Sequence, residues 1–215
     1  MNETFDPRKQ QQLPAYSAIS EALNPKAFAG VGSKTGDELF HHAGLATSMF
    51  EQIQDEVVQL FDQLCGGTFG HISPMGEIIG ATSSFNVKMD LVTQAAKSFL
   101  ADEKQQDAVL RWLKLARKAS VVRNKIAHGR PISVHFAFDG HDRHGVFWAP
   151  SLFDTRKAGW PQRRSAEWEF CWNGDQIREY SSAFQSVYAM LMTVREQLAG
   201  LGEESIPAVL DPERM

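Results

Sequence analysis

Cysteine is almost missing from this chain. Among 215 residues only Cys65 and Cys171 occur, far apart and without Cys-x-x-Cys or His-x-Cys spacing, so neither a zinc ligand set nor a disulfide framework is indicated. No apolar run approaches the roughly 18 residues that span a bilayer, and no membrane association is expected. The opening residues, Met1-Asn2-Glu3-Thr4-Phe5-Asp6-Pro7-Arg8-Lys9, lack the basic start and apolar core of a secretory signal, which makes the cytoplasm the expected location. Internal repeats and low-complexity tracts are also lacking. One further absence is local. From Ala108 to Phe138 there is no Asp or Glu, whereas Arg111, Lys114, Arg117, Lys118, Arg123, Lys125 and Arg130 supply seven positive charges. The net charge of -4 argues against a generic nucleic-acid coat, but it conceals this basic block inside an acidic chain.

What is present is the composition of an ordinary globular protein, 43% hydrophobic and 22% charged, at a length that favours one core with decorations. Residues 1–36 carry Pro7, Pro14, Pro25 and a glycine-rich run, and read as a loosely ordered arm with one short helix around Ala15 to Leu23. Gly30, Gly32 and Gly36 invite a dinucleotide-loop reading. No strand pattern precedes them and no βαβ unit follows, so a linker is the better reading. From an N-cap at Asp37, Leu39, Ala46, Phe50, Ile53, Val57, Leu60 and Leu64 trace one apolar stripe down a long helix that Gly66-Gly67 ends. His41 and His42, adjacent near its start, read as surface or boundary residues.

A connection with a short helical turn leads to a second helix, about Phe85 to Leu100, with Phe85, Met89, Val92, Ala96 and Phe99 on one side. A third begins after Asp102 and runs to about His128, so the two should pack as an antiparallel hairpin. Ile132 to Phe138, Gly145 to Ala149 and Trp168 to Trp172 alternate with the period of strands and suggest a small antiparallel sheet. The loop between the last two holds Arg156, Lys157, Trp160, Arg163 and Arg164, either a solvated loop or an extension of a nucleic-acid surface. Ile177, Tyr180, Phe184, Val187, Leu191, Val194, Leu198 and Leu201 then follow the 3,4 spacing of a bundle helix, and residues 202–215 read as a flexible tail. The expected fold is mainly α. It is an up-down bundle of four to five helices over residues 37–201, with a small antiparallel β insert at 131–172 before the last long helix.

The chemistry concentrates at the end of the third long helix. At ~100° per residue, Val109, Trp112, Leu113, Ala116 and Ala127 share a face with Arg123, while Arg111, Lys114, Lys118 and Lys125 fall on the solvated side. A guanidinium on the apolar face needs compensation, from an internal carboxylate or from an opening onto an interface or an anion. His128 lies about 7.5 Å further along the axis; Asn124 is one turn before it, and Arg117 extends the same side. Imidazole moves protons near neutral pH, and arginine grips a phosphate while staying charged. Together with Asn124 they suit attack of an RNA 2′-OH on the adjacent phosphate, with no metal or cofactor required. A histidine before Gly129 is also favourable through the helix dipole alone, and from the residues both readings stand.

Arg123-Asn124-Lys125-Ile126-Ala127-His128-Gly129 resembles the Arg-x(4 to 6)-His motif of HEPN domains, and the helix order over residues 37–200 is similar to that family. The resemblance implies a helical domain that pairs as a homodimer, with two motifs in one cleft. It also implies a metal-independent endoribonuclease, the toxin or effector part of a defence or toxin–antitoxin system. Arg123, Asn124 and His128 are then the catalytic residues, and the resemblance reaches no further; Arg117, Lys125 and Arg130 of the basic block are the expected RNA-binding residues. The family often adds a polar residue from an earlier helix, for which Glu51, Asp55, Lys88 and Asp90 are the candidates. The alternative is a non-catalytic HEPN module binding nucleotide, RNA or a protein partner such as an antitoxin.

Overall fold

The computed structural model describes residues 14–26, 31–68, 70–138, 141–150 and 171–200. Among these residues there are six helices: α1 (Tyr16–Ala22), α2 (Gly36–Leu64), α3 (Pro74–Gly80), α4 (Phe85–Phe99), α5 (Glu103–Ala127) and α6 (Gly174–Leu198). A β-hairpin, β1 (Gly129–Phe138) and β2 (His141–Pro150), separates α5 from α6. The protein is thus a mainly α bundle with a small antiparallel sheet before its last helix. No helix among the described residues is long and apolar enough to cross a membrane.

The long helix α2 is the central stave and packs against α3, α4, α5 and α6. Its stripe forms because Leu39, Ala46, Phe50, Ile53, Val57, Leu60 and Leu64 recur on one side, and all seven are buried. The helix starts two residues earlier than expected, since the Thr35 hydroxyl, not Asp37, is the cap and accepts the Glu38 N–H. Asp37 and Glu38 instead occupy the first turn, where their charge complements the helix dipole. Helices α2 and α6 run parallel: Gly174 lies against Glu38 and His42 at one end, and Arg195 pairs with Glu56 towards the other. The 3,4 spacing of α6 buries Ile177, Tyr180, Phe184, Val187, Leu191 and Val194 against the bundle.

Helices α4 and α5 form the expected hairpin, tied by a salt bridge from Arg117 to Asp90. Phe99 departs from expectation. It is the last residue of α4 and is largely exposed. Helix α3 is anchored by the buried Asp62 carboxylate, which accepts hydrogen bonds from the Ser73 hydroxyl and amide while Ser73 also caps the helix.

Parts of the N-terminal region expected to be loosely ordered are docked. Ile19 of α1 and its C-cap Leu23 are buried, and Tyr16 packs edge-on against Trp112. Lys118 donates to the Ser20 carbonyl and to Asn24 Oδ1, so it holds α1 rather than facing solvent. Tyr180 donates to the Asn24 carbonyl at 3.0 Å, and burial pushes its phenol up to about 12. Val31 and Ser33 bridge to β2 on the side away from β1. The glycines of this run serve that approach. A side chain on Gly32 would meet Val146 backbone atoms at 2.8 Å, and the facing Gly145 takes φ +119°. The expected third strand lies mostly outside the described residues, as do the basic loop around Trp160 and the tail. Within them, Trp172 exchanges backbone hydrogen bonds with Trp148. Cys65 and Cys171 are not joined.

The α2–α6 seam contains a buried ion pair, Glu56 with Arg195, 2% and 7% exposed. Burial raises the Glu56 carboxyl above its usual value, and the facing guanidinium draws it down only in part. A carboxyl that holds its proton more tightly when folded contributes stability below its unfolded pKa and loses it as pH rises through the folded one. Arg195→Met, which strands the carboxylate, should therefore cost about 3–5 kcal/mol at neutral pH. In thermal melts that deficit should narrow as the pH falls into the range where Glu56 protonates, and a deficit independent of pH would show that the charge is not responsible.

Candidate active site

Helix α5 carries the predicted site because one face of it is consumed by the core. Val109, Trp112, Leu113 and Ala116 are buried as the spacing requires, joined by Leu115, Ala119, Val122 and Ile126. Ala127, the last residue of the helix, is exposed, contrary to expectation; in that turn Ile126 is the residue that enters the core. His128 is the C-cap. Its backbone N–H donates to the Asn124 carbonyl at 3.1 Å, and the next residue, Gly129, already belongs to β1.

Arg123 is the basic residue turned inward, and three neighbours compensate it. Its guanidinium lies 5.5 Å from the centre of the Phe50 ring. Nη2 donates to Glu51 Oε1 at 2.7 Å, and Nη1 makes a longer contact of 3.4 Å with Asn124 Oδ1. Nε is buried without a hydrogen-bond partner among the described residues. The second Glu51 oxygen accepts from Gln54 one turn along α2, so the carboxylate is itself held. The pair sits at the surface. The Arg123 side chain retains 27% of its exposure and Glu51 50%, which keeps both accessible to a ligand.

Of the four polar candidates on earlier helices, Glu51 is thus the one that reaches Arg123. Asp90 pairs with Arg117 instead. Lys88 is buried on α4 and Asp55 is exposed one turn beyond Glu51. Arg123 and Asn124 are in contact, and His128 is exposed one turn after Asn124. The predicted RNA-binding residues are dispersed. Arg117 is engaged by Asp90, Lys125 is half-buried, and Arg130 is exposed on β1 opposite Ala149. His41 and His42, expected at the boundary, stack edge to face at 5.4 Å, His41 exposed and His42 partly covered.

Two residues near the motif escaped the sequence reading. The buried Trp148 of β2 donates its indole N–H to the Ile126 carbonyl at 2.9 Å, satisfying an acceptor that the ending helix leaves open. The indole occupies the space a side chain on Gly129 would need: a Cβ there would fall 2.0 Å from Trp148 Nε1. Gly129 therefore does more than end a helix, since its missing side chain admits the tryptophan that pins the His128 backbone. Phe40 of α2 packs edge to face on the same indole. A cavity of about 160 Å³, lined by Gln59, Asp62, Gln63, His71 and Arg195 among others, contains none of these residues. The motif occupies open surface instead, where a chain-like ligand can lie across it.

A half-exposed ion pair contributes little to folding. Chemical denaturation of Glu51→Ala should show a loss of no more than about 1 kcal/mol, and Arg123→Met, which keeps contact with Phe50, should lose no more than that. A loss of about 3 kcal/mol or more in either variant would mark the pair as part of the core. Comparison with protein-family models, curated proteins and solved structures yields no match to this chain.

Proposed function

We propose that the chain is a metal-independent endoribonuclease of the HEPN type, with Arg123, Asn124 and His128 as its catalytic residues. The observation that carries this reading is the state of Arg123. It is drawn onto an otherwise apolar helix face, held by a carboxylate and by Asn124, and still accessible, with an exposed histidine five residues further along. A purely structural arginine would be served by a buried carboxylate, and Glu51 is half open to water.

In the proposed reaction His128 takes the proton of the RNA 2′-OH. The 2′ oxygen forms a bond to the adjacent phosphorus, and the bond from phosphorus to the 5′ oxygen breaks. Arg123 stabilises the negative charge that builds on the phosphoryl oxygens. Glu51 and Asn124 fix the plane of the guanidinium, so that little reorganisation accompanies the reaction. Arg130, exposed two residues after His128, adds positive charge near the helix end. The leaving 5′ oxygen needs a proton, which a second His128 would supply if two copies shared a cleft.

Exposed apolar side chains on the helices that flank α5, and on α5 itself, support that arrangement. Leu45 on α2, Val87 and Leu91 on α4 and Val121 on α5 are each 40–58% exposed, a pattern typical of an interface that another molecule covers. A homodimer through this surface would place the two motifs together, and an antitoxin or other protein covering it would silence them. A cytoplasmic toxin or defence effector is the role this implies.

A second reading also has an observation behind it. The Glu51–Arg123 pair already occupies much of the guanidinium, and a protein that only binds RNA, nucleotide or a partner needs no freer arginine. The two readings differ in outcome. With mixed cellular RNAs, Arg123→Ala and His128→Ala should each reduce cleavage at least about a hundredfold, the scale of losing a proton-transfer or charge-stabilising group, while circular dichroism stays unchanged. RNA that is bound in a salt-sensitive manner and released intact by the unaltered protein would favour the binding module.

A further inference from the structure

We propose that Phe40 is a stacking platform for a nucleobase next to the scissile phosphate. The proposal rests on RNA being what the Arg123–His128 site takes. Phe40 is a large aromatic side chain that remains 57% exposed on a helix whose other face is packed into the core. Its position is fixed. The ring stands edge to face on Trp148, centroids 5.5 Å apart and planes at 87°, so Trp148 leaves at least one of its faces uncovered.

Trp148 in turn is immobilised from both sides. It is 4% exposed, its Nε1 donates to the Ile126 carbonyl, and its indole lies against the Gly129 backbone. Trp148 thus links Phe40 to the end of α5, where His128 is the C-cap. A phosphate held by Arg123 and attacked beside His128 would carry its base outward from the end of α5, towards Phe40.

The chemistry of this spot favours a base over other occupants. Phe40 offers an exposed π face and no charge of its own, and a base can stack on it whatever its sequence. Phe40 also supplies no hydrogen-bonding group, so the platform would accept any base by its π face and give cleavage a broad sequence tolerance. Opposing it, the apolar residues Val87 and Leu91 lie on α4, away from the sheet end of the motif, and offer a protein partner a different surface.

The test uses the full chain and a short 2′-O-methyl RNA carrying a single 2-aminopurine, which cannot be cleaved because its 2′ oxygen is blocked. Binding to the unaltered protein should quench the 2-aminopurine fluorescence. Phe40→Leu should lose the quench and bind about tenfold or more weakly, the scale of one base–aromatic stack. Phe40→Trp should keep both, and Arg123→Met should weaken binding while the bound probe remains quenched. A Phe40→Leu protein that binds and quenches as before overturns the proposal, as does an unaltered protein that never quenches the probe. So does a Phe40→Leu effect confined to oligomeric state in sedimentation, which would make Phe40 a protein contact. Cleavage of ordinary RNA separates the two levels. Cleavage without quenching leaves the ribonuclease reading and removes the platform, whereas quenching without cleavage does the reverse.

Discussion

A guanidinium on the core side of a helix has to be compensated, and much of the local architecture answers to that one constraint. Arg123 is out of register with the solvated cations of α5; full burial without a partner would cost several kcal/mol, and the 27% exposure its side chain keeps removes most of that penalty. Helix α2 supplies the answer with consecutive residues. Phe50 turns into the core and offers its ring to the guanidinium, and Glu51 beside it reaches the same group from the surface. The compensation is only partial, with a buried Nε left unsatisfied and the pair half open to water. Complete burial with full pairing would have made the arginine a structural element. Partial compensation leaves it pre-organised and reachable, which is the condition for charge stabilisation in a reaction.

The same helix sets the other end of the site. From Glu51, α2 runs back towards its N-terminus to Phe40, and α5 runs antiparallel beside it towards His128. The β-hairpin closes the gap, because Trp148 bridges the two helices through Ile126 and Phe40. An insert that looked like decoration on a helical bundle thus becomes a brace for the helix end that carries the histidine. The short run at residues 31–33 reinforces it by pairing along β2, through a backbone contact that only glycine at 32 and 145 permits.

The bundle could be read from the sequence because its information is local. Apolar side chains at threes and fours define α2, α4, α5 and α6 before any contact is known, and the 3,4 seam from Ile177 to Val194 is buried as spacing demands. The inward turn of Arg123 was equally legible, as it needs only the pitch of one helix. What escaped depends on pairs distant in sequence. Glu51 was one of four candidates, and nothing local distinguishes it from Asp90, which answers Arg117 instead. Lys118 read as solvated because the helix it holds comes from a segment nearly a hundred residues earlier. Gly129 carried the right signal for a helix end, but its closer reason, the indole of Trp148, lies across the hairpin. The surroundings of Phe40 were hidden for the same reason, since its neighbour Trp148 is more than a hundred residues away in the chain.

The central claim is that this surface performs attack of a 2′-OH on its own phosphate, a reaction whose groups all come from the chain and the RNA. Its products are distinctive, because the bond that breaks leaves the phosphate on the 3′ side. The most direct measurement is therefore the chemistry of the cleaved ends, determined after incubating RNA with the purified protein in the presence of a strong chelator. A 2′,3′-cyclic phosphate on one fragment and a 5′-hydroxyl on the other is the predicted result. Fragments with 5′-phosphate and 3′-hydroxyl ends, or RNA that stays intact under these conditions, would contradict it.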